Sequence, residues 1–257
     1  MLRKAIYVIL ALVTCLLALG VIDGLRHMVA IERLEKIALL TNWQYRIPGM
    51  TSPVRYSDAP AETWRAYVRD AMATPRVVAL SPFNPGQDVV VDCSVWRDLA
   101  MLRVEDVQIT NCRGLSPENV ADFPVIPSIK DFDVRNTDLT NEALNRLWSR
   151  IPNVEDVLLN QSGIGVDAFR NVKDARKLNQ LSVESLEMTN EAIAQLRDLP
   201  DLRWLELTHA IITEASAPLL AGMPALRHLE LRYSNTSAEV PDRIRALNPK
   251  LVVEVVR

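Results

Sequence analysis

The side chains able to do chemistry in this 257-residue chain are few, so their spacing carries the information. Asp131 and Asp133 stand two residues apart in "IKDFDV". On an extended strand both carboxylates would point to one face about 7 Å apart, a separation that suits a cation or a paired acid and base. No third ligand accompanies them in the sequence, so the pair by itself defines no site. His228, near Glu206 and Glu230 if neighbouring strands align, is the other group with metal-ligand chemistry, and it is equally incomplete. The remaining histidines are His27, close to the N-terminus, and His209, at the end of an apolar run. Three histidines so placed assemble no Ser–His–Asp or Cys–His arrangement. Gly163 and Gly165 in "SGIG" have no lysine after them, so they form a turn and not a phosphate loop. Cys15, Cys93 and Cys112 lack any CxxC or Cys/His spacing for zinc. Cys93 and Cys112 either pair in an oxidising compartment or remain two small buried thiols. The expectation is a non-enzyme with no catalytic residue, no metal site and no cofactor.

What must position these residues is a repeat. "VEDVQI" at 104 returns as "IKDFDV" at 129, "VEDVLL" at 154, "LNQLSV" at 178, "LRWLEL" at 202 and "LRHLEL" at 226, with a degraded "LVVEVV" from Leu251. The starts are spaced 25, 25, 24, 24, 24 and 25 residues, and the first, fourth and sixth places are apolar except at Glu254. A fixed period of this length means stacked supersecondary units. Between the apolar runs, Ser116, Thr140, Thr189 and Thr213 stand where a helix N-cap is wanted, followed in three cases by Glu118, Glu142 or Glu191 in the first turn. Pro127, Pro152, Pro200, Pro224 and Pro249 each precede the next run by two residues, ending a helix and favouring extended backbone. Each unit therefore reads strand, corner, helix, proline. The unit "NQSGIGVDAFRNVKDARK" is irregular and predicts a short helix.

Upstream, residues 5–22, "AIYVILALVTCLLALGVI", carry no charge over 18 residues. As a helix this run is about 27 Å long, near the ~30 Å of a bilayer's hydrocarbon core. Arg3 and Lys4 before it would keep the N-terminus cytoplasmic and send the rest across. The expected layout is a signal-anchor transmembrane helix over 1–24, with a cleavable signal peptide cut after Ala18 and Gly20 as the alternative, and a stalk helix with linker over 25–58. A cap, with a helix from residue 59 and strands at "RVVAL" and "DVVVDC", would fill 59–99, and repeats 100–257. A net charge of −3 with no concentrated basic patch excludes nucleic acid as the natural partner.

These repeats resemble the leucine-rich repeat family, LxxLxLxxN/C, over about residues 100–257, with Cys112 close to the Asn/Cys place. They are most similar to the short helix-bearing bacterial type found in membrane-tethered planctomycete proteins. The chain departs from that pattern at the corner, where Thr137, Ser162, Ala210 and Ser234 stand near the asparagine place, so the corner bonds are either weaker or supplied by backbone and hydroxyl groups. The resemblance implies an α/β fold: a right-handed solenoid with a parallel concave sheet and convex helices. With places one, four and six inward, the concave face would carry Asp106, Asp131, Asp133, Arg135, Asp156, Glu184, Trp204, Glu206, His228, Glu230 and Arg232. Acidic side chains around one exposed tryptophan suit a basic protein partner. A plainer reading makes the acids a solubilising surface. The expected function is a non-enzymatic, membrane-tethered protein-binding scaffold in the cell (inner) membrane, its solenoid on the extracytoplasmic side. The alternatives are a structural subunit of a larger membrane assembly, or a hydrolase or glycan-processing protein using the same carboxylates.

Overall fold

Alternation of apolar and polar side chains makes every copy of the repeat a strand with one buried face. The computed structural model describes residue 14 and residues 21–41, 44–45, 73–74, 76–82, 88–160, 163–237 and 239–257. Its strands in chain order are β1 (Ala38–Thr41), β2 (Gln44–Tyr45), β3 (Ala73–Thr74), β4 (Val77–Leu80), β5 (Asp106–Thr110), β6 (Asp131–Arg135), β7 (Asp156–Asn160), β8 (Gln180–Glu184), β9 (Trp204–Thr208), β10 (Ile211–Ile212), β11 (His228–Arg232), β12 (Asn235–Thr236) and β13 (Val252–Val256). Nine of them form one sheet in the order β1-β4-β5-β6-β7-β8-β9-β11-β13. From β4 to β13 all eight run parallel, each beside the strand that precedes it in the sheet. Val107 and Ile109, Phe132 and Val134, Val157 and Leu159, Leu205 and Leu207 are all buried, as are Val104, Ile129, Val154, Leu178, Leu202 and Leu226 just before the strands. The result is an α/β fold with a parallel sheet covered by helices on one face, an architecture compatible with a solenoid.

The helices take the places the caps indicate, with exceptions. Ser116 and Thr140 accept hydrogen bonds from the amides of Asn119 and Ala143 and start the helices Pro117–Ala121 and Asn141–Leu147. Thr189 occupies the cap of Asn190–Leu196, but its hydroxyl donates to Glu191 instead of accepting from the backbone. Thr213 is not a cap: its helix starts later, at Ser216–Ala221, and the Thr213 side chain pairs with Asn190 of the preceding coil. In the irregular unit two 3-10 turns, Val166–Phe169 and Val172–Asp174, stand in for an α-helix.

The corner without asparagine is closed as hydroxyl and thiol chemistry allows. Cys112 donates from Sγ to the carbonyls of Leu80 and Thr110, and Ser234 donates from Oγ to those of Leu207 and Arg232. Leu80 pairs with Ile109, and Leu207 pairs with Leu231, so the two groups make equivalent bonds in different coils. Cys93 and Cys112 are both free thiols, and burial pushes Cys112 up to about 11. Asp138 reaches back one coil and accepts from the amides of Gly114 and Leu115, both at 2.9 Å. Gly114 is required there: its φ is +100°, and a Cβ would lie 2.8 Å from the Val91 carbonyl oxygen.

At the N-terminal end the structure differs from the expected stalk. Residues 21–34 are helical, and Ala30, Ile31 and Leu34 are buried in the same core as the strands. Arg33 donates to Asp98 of the helix Cys93–Leu102 at 2.5 Å. An apolar stripe at three- and four-residue spacing buries against whatever apolar face is near, and here that is the first helix of the array. Strand β1 then pairs antiparallel with β4 and covers the sheet's leading edge. The segment "DVVVDC" is not a strand: Val90 makes a single bridge to Arg113, and Asp92 caps the helix Cys93–Leu102 by accepting from Ser94 and Val95. Asp92, Trp96 and Leu99 carried that helix's signature.

Most of the charge-free run 5–22 lies outside the described residues, as do residues 46–72, which include most of the expected linker and the cap helix from 59. Among the described residues no helix is long and apolar enough to cross a membrane.

Candidate functional site

Strand register turns the outward residues of the parallel sheet into rows. One row runs Asp106, Asp131, Asp156, Gln180, Trp204, His228, Val252. The next runs Gln108, Asp133, Leu158, Ser182, Glu206, Glu230, Glu254. The third runs Thr110, Arg135, Asn160, Glu184, Thr208, Arg232, Val256. Neighbours in a row are separated by the strand spacing of about 4.8 Å.

The last strand corrects the sequence frame. His228 pairs with Val252, so the final spacing is 24 and the copy starts at Lys250. Val253 and Val255 then point inward, and Glu254 falls on the open face opposite Glu230. A shift of one residue moves a side chain to the other face of a strand, which is why Glu254 stood out as an apolar-position exception.

The expected face divides into two groups. In the first, Asp106, Asp131 and Asp156 lie side by side on three adjacent strands. Burial pushes Asp131 above the ordinary carboxylate value, against the pull of Arg76. Asp106 is raised by burial and by Asp131 and Asp133, partly offset by the Gln108 amide. Asp156 is pushed up to about 6, by burial first and then by the charges of Asp131, Asp106 and Asp133. Asp133 itself is engaged by Arg135, whose Nε and Nη2 donate at 2.9 and 2.7 Å. The Asp131–Asp133 pair is therefore not a two-carboxylate site: one member belongs to the acid row and the other to an arginine.

The second group sits on β9, β11 and β13. Trp204 is partly exposed and stacks on His228 with ring centroids 3.8 Å apart. Arg232 Nε lies 2.7 Å from Glu230 Oε1 and 2.9 Å from Glu206 Oε1. Glu184 faces His209 across 3.4 Å, at the rim of this group. Gln180, Ser182 and Leu158 separate the two groups. The sequence reading missed Glu254 on this face and, beside it, the Arg76–Glu105 ion pair at 2.8 Å. The first was hidden by the frame slip, and the second pairs β4's flank with residues just before β5.

The acid row predicts a pH effect with a definite sign. The Asp156 carboxyl rises from the ordinary 3.8 to about 6, so folding favours its protonated form. Stability is then highest below the unfolded value and is lost as pH rises through about 6. Two pKa units correspond to about 3 kcal/mol, which solvent screening of this half-buried group reduces to about 1 kcal/mol. Asp156→Asn is expected to stabilise the protein by about that much at pH 8 and very little at pH 4.5, read from urea midpoints at both.

Geometry thus defines a class, an α/β protein whose parallel sheet leaves one charged face uncovered among the described residues. The particular family is not supplied by comparison: no known family model matches the chain, and no curated protein matches it in sequence.

Proposed function

We propose that this chain is a leucine-rich repeat protein of the short helix-bearing type, its solenoid right-handed and its open sheet face concave. In this reading residues 5–22 anchor it in the cell (inner) membrane as a single-pass signal-anchor, with the repeats on the extracytoplasmic side. The protein is a non-enzymatic scaffold, and its partner is a protein presenting lysine or arginine side chains. The observation that carries the reading is the row of Asp106, Asp131 and Asp156 on adjacent strands of the uncovered face. Burial raises all three carboxyls, and the neighbouring carboxylates raise Asp106 and Asp156 further, so the row holds negative charge with too little compensation and a cationic surface relieves it. Trp204, beside the second acidic group, supplies the aromatic anchor such contacts favour.

The test is charge reversal of Asp131, Asp133, Glu206 and Glu230 to lysine in the full chain, after in-membrane crosslinking has identified the protein held by the unaltered chain. Loss of that crosslinked species, with unchanged circular dichroism, supports the face. Retained crosslinking moves the contact to the helices. Loss of a turnover instead of a stable partner supports the hydrolase alternative.

One observation favours a second reading, a structural subunit. Ile22, Leu25 and Val29 are exposed along the helix of residues 21–34, beside an apolar groove of about 400 Å³ that Met101 and Arg97 complete. If a neighbouring subunit covers that stripe, Leu25→Glu together with Val29→Glu releases the chain from its native complex while the sheet face keeps its own ligand.

A further inference from the structure

We propose that His228, Glu230 and Glu254 form a binding site for a divalent transition-metal ion, with Zn²⁺ the best match. Nothing in the repeat reading calls for such a site, and it does not depend on the scaffold function. His228 and Glu230 come from β11 and Glu254 from β13, where Glu230 and Glu254 are direct register partners. One donor atom from each of the three lies within 4.8 Å of the other two. At metal–ligand bonds of roughly 2.0–2.2 Å, ligands of one ion stand about 3–4 Å apart, so the group closes on an ion by side-chain movement alone.

Two independent features point to a ligand and not to a solvated cluster. His228 Nε2 is shielded from solvent and has no hydrogen-bond partner, although Glu254 Oε1 lies 3.8 Å away. A buried ring nitrogen without a partner is costly, and a metal bond satisfies it. The ring is also preset, stacked on Trp204 at 3.8 Å with 17° between the planes. The second feature is charge. Glu206, Glu230 and Glu254 are successive members of one row, and Arg232 is the cation paired with the first two. Three carboxylates against one guanidinium leave two negative charges around a Glu230 side chain that is only 8% exposed. A divalent ion neutralises that excess. Arg232 contacts Glu230 through Oε1, and a carboxylate has two oxygens, so the ion pair and a metal bond can share this residue.

The imidazole selects the metal. An all-oxygen set would suit Mg²⁺ or Ca²⁺, whereas one imidazole nitrogen with two carboxylates favours Zn²⁺ and its Co²⁺ surrogate. Glu254 is half exposed on the sheet's last strand, so the site opens toward solvent and leaves coordination positions for water or a donor from another molecule.

Titration of the full-length chain with Zn²⁺ by calorimetry, and with Co²⁺ by visible absorption, tests the site. Saturable binding is expected, with a rise in Tm as Zn²⁺ increases. Co²⁺ is expected to quench a component of tryptophan fluorescence that Trp204→Phe removes. His228→Gln and Glu254→Gln should each weaken binding by at least about tenfold. Glu254 is exposed at an edge, so its variant folds even if the His228 variant does not. Absence of saturable binding below millimolar Zn²⁺, unchanged affinity in Glu254→Gln, or an equal response to Mg²⁺ each overturns the assignment.

Discussion

Trp148→Ala is expected to cost about 3–5 kcal/mol of unfolding free energy. Trp148 is fully buried at the end of the helix Asn141–Leu147. Its ring faces Phe169, with centroids 6.2 Å apart, and its indole N–H donates to the Ala168 carbonyl at 2.7 Å. Both partners belong to the one coil whose α-helix is replaced by 3-10 turns. In this coil 3-10 turns take the place of the α-helix, and the indole packs against them. Alanine removes that volume and also leaves a buried carbonyl without its donor. Trp148→Phe separates the two contributions: it keeps most of the apolar volume, and the lost bond alone should cost about 1–2 kcal/mol. Urea unfolding followed by circular dichroism measures both. A Trp148→Ala loss no larger than the phenylalanine loss would show that the site collapses around the cavity. In a stacked array each coil contacts only its neighbours, so the alanine variant should also separate the unfolding of the two halves.

Arg33→Ala is the second large effect, about 1–3 kcal/mol at neutral pH. Asp98 has a side chain only 5% exposed, and Arg33 meets it at 2.5 Å from a position 52% exposed. That half-exposure places the loss below the 3–5 kcal/mol of a wholly buried pair, roughly as surface screening dictates. Burial raises the Asp98 carboxyl above its ordinary value, Arg33 pulls it down, and Asp92 pushes it up again. Without Arg33 the folded value climbs further. A group raised by folding favours the fold when protonated, so the variant's deficit is full at pH 8 and fades as pH falls through the elevated value. Adding Asp98→Asn to the variant should recover most of the stability at pH 8, and the four-protein cycle isolates the pair. Limited proteolysis supplies the structural readout, because the helix of residues 21–34 is held to the array by this pair and by Ala30, Ile31 and Leu34. If cleavage in that helix is not accelerated, the ion pair is not what docks it.

How far the site could be read from residues alone depended on register. The acid row was legible because Asp106, Asp131 and Asp156 keep the spacing of the apolar places around them. Each inward Val, Ile or Leu determines where its outward neighbour points. Glu254 was lost for the same reason: Leu251 is apolar and buried, and taking it as the first place of the last copy flips the strand. The ion pairs were not legible at all. Arg135 takes Asp133, and Arg232 reaches Glu206 and Glu230, through long side chains whose direction no periodicity encodes.

By itself the sequence determined that stacked strands would share aliphatic layers, because a repeated pattern of buried places has one low-energy arrangement, in line. It also determined where the helices Pro117–Ala121 and Asn141–Leu147 start, since Ser116 and Thr140 satisfy free backbone amides locally. Tertiary structure alone decided that the helix of residues 21–34 folds back onto Cys93–Leu102, that Trp148 packs on the 3-10 turn of the next coil, and that His228 meets Glu254. Each of these depends on a contact between residues far apart in the chain. Such contacts are selected by the shape and charge left uncovered once the local elements have formed.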